Sequence, residues 1–129
     1  MASWDDVDRL ATALPEVERA ADTWGSKWVV RKKHFAWERQ LRARDLEELG
    51  GEAPEGELLA VMVADLNEKR GLIGSNPDVF FTMPHFANYP AVLVRLERIQ
   101  LDQLGEILTD AWLARAPKRL AASFLAEHP

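Results

Sequence analysis

Apolar residues recur along the chain with two different periods, and these periods divide it into elements. Trp4, Val7, Leu10, Ala11 and Leu14 fall on one stripe of a helix over 4–14. Ser3 is placed to cap it, and Asp6, three positions on, completes a capping box; Pro15 ends it. Residues 23–40 change to short aromatic and β-branched runs. Trp28-Val29-Val30-Arg31 and Phe35-Ala36-Trp37-Glu38 read as a β-hairpin, with Lys32-Lys33-His34 as its turn. Lys-Lys is a poor two-residue turn, so a longer loop is expected.

Residues 44–57 are polar and contain Gly and Pro, which predicts a surface connection with one helical turn at Asp45–Leu49. Leu58–Val63 reads as a buried strand. Asp65 caps a short helix running to Ile73, with Glu68 at its third position, before Gly74, Ser75, Asn76 and Pro77 stop it. Val79–Thr82 and Ala91–Leu96 read as an antiparallel pair joined by the proline-bounded turn Pro84–Pro90. Leu104, Ile107, Leu108, Ala111 and Trp112 define a helix over 103–113 with Asp102 as its cap. Pro117 opens a last helix that buries Leu120, Ala121, Phe124 and Leu125. The expected fold is α+β in two layers: a mostly antiparallel sheet with N-terminal and C-terminal helices over one face.

Length and composition narrow the picture. The 129 residues suit a single domain, 1–129, and five Trp with five Phe supply its core. The absence of Cys excludes disulfides and thiolate chemistry. The start MASWDDVDRL lacks the pattern of a signal peptide, and no apolar run suits a membrane helix. A cytoplasmic protein with no membrane partner is expected.

The net charge of −5 argues against a generally basic nucleic-acid binder, but the charge is uneven. Residues 19–44 hold eight basic side chains against Asp22 and Glu38, and residues 45–57 hold six acids and no base. Arg31, Lys32, Lys33 and His34 lie at or beside the hairpin turn, and Arg39, Arg42 and Arg44 follow it. Cations there would neutralise phosphate, and Trp28, Phe35 and Trp37 would stack bases wherever they face solvent. The plainer alternative is that the aromatics are core and the charges a solvated edge. In the proline-bounded turn, His85, Asn88 and Tyr89 form a second candidate contact or the lip of a small pocket walled by Phe80, Phe81 and Phe86; the alternative is a structural turn. Arg115, Lys118 and Arg119 extend a basic surface or are simply solvated.

No nucleophile–base order, Walker A or dinucleotide motif occurs, so no catalytic residue, cofactor or metal is expected; the enzymatic alternative, ranked below the binding readings, is His85 as a general base paired with a carboxylate. Asp5, Asp6 and Asp8 invite a metal reading, but acids in a first helical turn are explained by the helix dipole.

Several motifs in order resemble the MmcQ/YjbR family of small bacterial proteins. They are Trp24-Gly25, Lys33-His34-Phe35-Ala36-Trp37, Phe80-Phe81-Thr82-Met83-Pro84-His85-Phe86, Tyr89-Pro90-Ala91-Val92-Leu93-Val94, Asp110-Ala111-Trp112 and Ala116-Pro117-Lys118. The resemblance spans about residues 3 to 125. It implies a YjbR-like fold, similar in outline to type III secretion chaperones and frataxin-like domains. It also implies DNA binding through a double-wing arrangement, and it brings no catalytic residues. The expected ligand is therefore DNA, held electrostatically with little sequence reading. The alternative is a module that binds a protein or a small ligand on its sheet face.

Overall fold

The computed structural model describes residues 2–23, 25–39, 47 and 56–127. The elements run α1 (Trp4–Thr12), β1 (Val17–Asp22), β2 (Gly25–Val30), β3 (Lys33–Glu38), β4 (Leu58–Met62), α2 (Leu66–Ser75), β5 (Phe80–Phe81), a 3₁₀ turn (Pro84–Phe86), β6 (Ala91–Arg95), α3 (Leu101–Arg115) and α4 (Lys118–Glu127). The strands form one sheet in the order β1-β2-β3-β4-β6-β5, and each neighbouring pair is antiparallel. The fold is α+β, with helices at both ends of the described chain, as the periodicities predict. No described helix is long and apolar enough to cross a membrane. The expected turn at Asp45–Leu49 lies outside the described residues except for Glu47, which is helical and exposed.

The helix starts obey the chain's local chemistry. The Ser3 hydroxyl accepts from the Asp6 amide, and the Asp6 carboxylate accepts from the Ser3 amide at 2.9 Å. The Asp65 carboxylate accepts from the Glu68 amide at 2.8 Å, capping α2. One cap is corrected: α3 starts from Gln100, and Asp102 lies inside its first turn, where its carboxylate accepts from the Gln103 amide. In α4, Leu120, Ala121 and Phe124 are half-buried, but Leu125 is 51% exposed, so its packing stripe is narrower than expected.

The larger apolar cluster lies between the sheet and helices α1 and α3. It includes Val7, Trp28, Phe35, Leu59, Phe80, Val94, Leu104, Leu108 and Trp112. Two indoles also tie distant segments through their N–H groups, as buried tryptophan requires. Trp28 donates to Asp8 at 2.9 Å, and Trp112 donates to the Pro15 carbonyl at 3.0 Å. The opposite, outer face carries a smaller cluster: Ala60, Met62, Met83, Phe86, Ala91 and Leu93, with Trp37 and Phe81 packed against it.

Two features of the first three strands differ from expectation. β1 adds an edge strand to what the sequence presents as a simple hairpin; Glu18, Arg19, Ala20 and Ala21 are weak strand formers, and pairing with β2 overrides them. The turn between β2 and β3 is the tight two-residue type after all. Val30 pairs with Lys33, and Arg31-Lys32 turns the chain with φ of 48° and 70°, the left-handed pair that matches strand twist. Lys33 and His34 thus begin β3 instead of lying in a loop. Opposite Arg31, Glu16 is also left-handed, with φ 58°, and its carboxylate takes two hydrogen bonds from the Arg31 guanidinium at 2.5 and 2.9 Å. At the other end of β2, Gly25 has φ +117°, and a Cβ there would lie 2.5 Å from a Glu38 carboxylate oxygen, so glycine is required.

The left-handed Lys32 yields a test of this turn. Lys32→Gly relieves the Cβ strain, partly offset by glycine's larger unfolded entropy, for a net gain of about 0.5–1 kcal/mol. A rise in the urea midpoint is expected. A fall would mean that Lys32 makes a stabilising contact that outweighs its backbone strain.

Candidate functional site

Side chains alternate faces along a strand, so residues three apart normally point in opposite directions. β3 breaks that rule with a bulge. Val29 pairs with His34 and Trp28 with Ala36, so Phe35 is an extra residue on β3. Phe35 and Ala36 both enter the inner cluster. His34 and Trp37, three apart, consequently share the outer face. Across the sheet Trp37 falls in one row with Ala20, Lys27, Ala60, Leu93 and Phe81.

The facing wall comes from the Pro84–Pro90 turn. Its internal hydrogen bonds are local: the Phe86 amide donates to the Met83 carbonyl and the Tyr89 amide to the Phe86 carbonyl. Lys69 of α2 anchors it from behind. This side chain is only 2% exposed, and its ammonium donates to the carbonyls of Phe86 and of Tyr89, the latter at 2.8 Å. Burial pushes its pKa below the usual lysine value. Leu66, Lys69, Leu72 and Ile73 follow helical spacing, so Lys69 stands on the apolar face of α2. That spacing is the signal by which the sequence could have revealed it.

Bulge and anchored turn together border an open hollow of about 330 Å³ lined by His34, Trp37, Phe86 and Tyr89. The rings form a chain: His34 meets Trp37 edge-on with centroids 4.8 Å apart, Trp37 meets Phe86 at 6.4 Å, and Phe86 meets Tyr89 at 5.7 Å. A second hollow of about 200 Å³ shares His34 and Trp37 and continues past Lys27 to Asp22 and Glu38. Lys27 pairs with Asp22 at 3.1 Å, and Glu38 accepts from the Ser26 amide at 3.2 Å. The Arg115 guanidinium donates to the His34 carbonyl at 3.3 Å. Burial, then the charges of Arg115 and Lys27, hold His34 below its ordinary value of 6.5.

The residues singled out from the sequence separate into groups. Lys32 and Lys33 are exposed at the hairpin tip, with no ion partner among the described residues. Arg31 is at the tip but engaged by Glu16. Arg39 is only 9% exposed, its guanidinium 5.2 Å from the Phe86 ring centre, so it packs inside the site and is not at its surface. Trp28 and Phe35 are buried in the inner cluster and cannot stack on a ligand. Asn88 is exposed, and Tyr89 is 40% exposed. Arg42, Arg44 and the His85 side chain lie outside the described residues. Asp6 and Asp8 are engaged by the α1 cap and the Trp28 indole, and no group of three metal-ligating side chains occurs among the described residues. The arrangement suits noncovalent binding of a flat group: aromatic walls, a neutral imidazole, and cations toward the tip.

Comparison with known proteins gives a consistent fold. No family model matches the chain. Uncharacterized proteins of Mycobacterium tuberculosis and Mycobacterium bovis are each 47% identical to it over 129 residues, with 98% of both chains covered. Among solved structures, the Deinococcus radiodurans protein DR2400, with a DUF419 domain, superposes with a TM-score of 0.68 over 98% of this chain and 88% of its own, at 17% identity.

Two predictions follow from the site's geometry. Lys69→Met removes the ammonium's hydrogen bonds to the Phe86 and Tyr89 carbonyls, each of which keeps one backbone amide donor, and should cost about 1–3 kcal/mol, seen as a lower urea midpoint. Faster hydrogen exchange at the Tyr89 and Ala91 amides should accompany it; unchanged exchange there would mean that Lys69 does not anchor the turn. The second concerns pH. Because the folded pKa of His34 is lowered, its neutral form favours folding, fully so above pH 6.5, and that contribution is lost as pH falls below 6.5 toward the lowered value. His34→Gln should therefore lose less stability than the parent between pH 7.5 and 5.5 in urea titrations; an equal or greater loss would contradict the assignment.

Proposed function

We propose that this chain, which belongs to one family with the uncharacterized mycobacterial proteins, is a non-catalytic MmcQ/YjbR-type protein that binds nucleic acid on the outer face of its sheet. The observation that carries this reading is the meeting of two separate elements at one place. The basic hairpin contributes His34 and Trp37, the proline-bounded turn contributes Phe86 and Tyr89, and at the exposed hairpin tip Lys32 lies on their side of the sheet and Lys33 on the other. The YjbR-like fold group to which DUF419 belongs is in keeping with the resemblance carried by the Phe80–Phe86 and Tyr89–Val94 motifs.

The affinity is modest on this reading. Arg31 is already neutralised by Glu16, Lys27 by Asp22, and the chain carries −5 overall. Among the described residues of the hairpin two tip lysines remain for phosphate, and no described helix is presented as a base-edge reader, so the interaction is electrostatic and tolerant of sequence. A second reading, a protein- or small-ligand-binding module, is favoured by the acids Glu18 and Asp22 on the same face as the aromatic hollow.

Fluorescence polarisation with labelled oligonucleotides across a salt series tests the proposal. With two phosphate contacts, log affinity should fall against log salt with a slope of roughly −1 to −2. Binding should be lost in the Lys32→Ala/Lys33→Ala double variant. Absence of binding at low salt, or binding indifferent to both lysines, would reject the nucleic-acid reading in favour of the second.

A further inference from the structure

We propose that the hollow between β3 and the Pro84–Pro90 turn receives one unpaired base, so that the protein prefers single-stranded nucleic acid to duplex. This deepens the nucleic-acid reading above and rests on it. Four aromatic rings line the hollow, and neighbours in the chain meet at interplanar angles of 85°, 51° and 58°. No adjacent pair in that chain stacks face to face; an edge meets one ring face in the His34–Trp37 contact and Arg39 meets one face of Phe86, so no two ring faces are spent on each other. Stacking on such faces is how proteins hold bases without reading sequence, because every base has a π-face. A base inside a duplex has both faces covered and offers only its edges in the grooves.

Size and polarity agree. A volume of about 330 Å³ lies near the lower limit for small-ligand sites and suits one planar group, not a helix or a strand of protein. Charge changes sign along the outer face. Lys32 stands at the hairpin tip beside Val29, the cross-strand partner of His34, while Lys33, paired with the inward Val30, faces the other way; Glu38, with Asp22 across the sheet, closes the far end of the adjoining hollow. A nucleotide therefore fits one way round, its base against Trp37 and Tyr89 and its phosphate toward Lys32. A duplex, with phosphates on both sides of each groove, would bring its second backbone toward the acidic end and gain no stacking in return.

The test uses the full chain and three labelled probes of equal length at one low salt concentration: oligo-dT, an abasic strand and a matched duplex. Oligo-dT should bind about tenfold more tightly than the other two, the scale of one stacked base. Tyr89→Leu, at a position 40% exposed, should bring oligo-dT close to the abasic strand and leave the abasic strand unchanged where circular dichroism shows the variant folded. Trp37→Leu should do the same where circular dichroism shows the variant folded. Equal binding of all three probes, or tighter binding of duplex, overturns the unpaired-base inference while the broader nucleic-acid reading stands. Binding to none of them overturns both.

Discussion

The architecture depends on a pair of central strands that must be covered twice. All five residues of β4, and Ala91–Val94 of β6, are buried. A strand apolar on both faces is stable only with a layer on each side, and among the described residues the helices packed on these strands lie on one side. Helices α1 and α3 take the inner face. The outer face is closed by Met83, Phe86 and the turn around them. That cover is small, and it ends over β3. Trp37 lies at its margin, packed against the outer cluster yet only half-buried. The candidate site is thus the rim of the described outer layer, and its position follows from how far the segment 82–90 reaches across the sheet.

A short irregular cover lacks the internal hydrogen bonding that keeps a helix rigid. Here rigidity is supplied from outside by one ammonium group. Burying a cation is costly unless its donors are used, and Lys69 uses two of them on the carbonyls of the residues whose side chains form the aromatic wall. The polar contact and the apolar wall are therefore one device: the main chain of Phe86 and Tyr89 is held on one side so that their rings are fixed on the other. Arg39 adds to this from the sheet, its guanidinium over the Phe86 ring.

What could be read from the sequence depended on the range of the forces involved. The caps of α1 and α2 were legible because Ser3, Asp6, Asp65 and Glu68 act within three residues of one another. The apolar runs of β4 and β6 were legible because burial on both faces leaves no polar residue to disguise them. The hairpin turn was not, since Arg31-Lys32 has none of the usual turn residues and lies opposite a partner, Glu16, outside the hairpin. β1 was missed for a related reason: its residues prefer other structures and are held by β2. The aromatic residues of β2 and β3 were recognised, but their fates were set by parity. Trp28 and Phe35 went inward and Trp37 outward, an outcome decided by a bulge that no local residue announces. Lys69 sat within a charged stretch, Glu68-Lys69-Arg70, that reads as solvated until its helical phase is considered.

The bulge also governs how relatives of this chain should be compared. An outward-facing pair separated by three positions in a bulged strand is equivalent to a pair separated by two in a regular one. A homologue lacking one residue at Phe35 would keep its imidazole and indole side by side on the outer face, losing only an inner-face aromatic. An alignment that places the same gap beyond Ala36 would pair inward residues with outward ones and make a preserved site look substituted. For this strand, facing direction and not column number is the quantity to align.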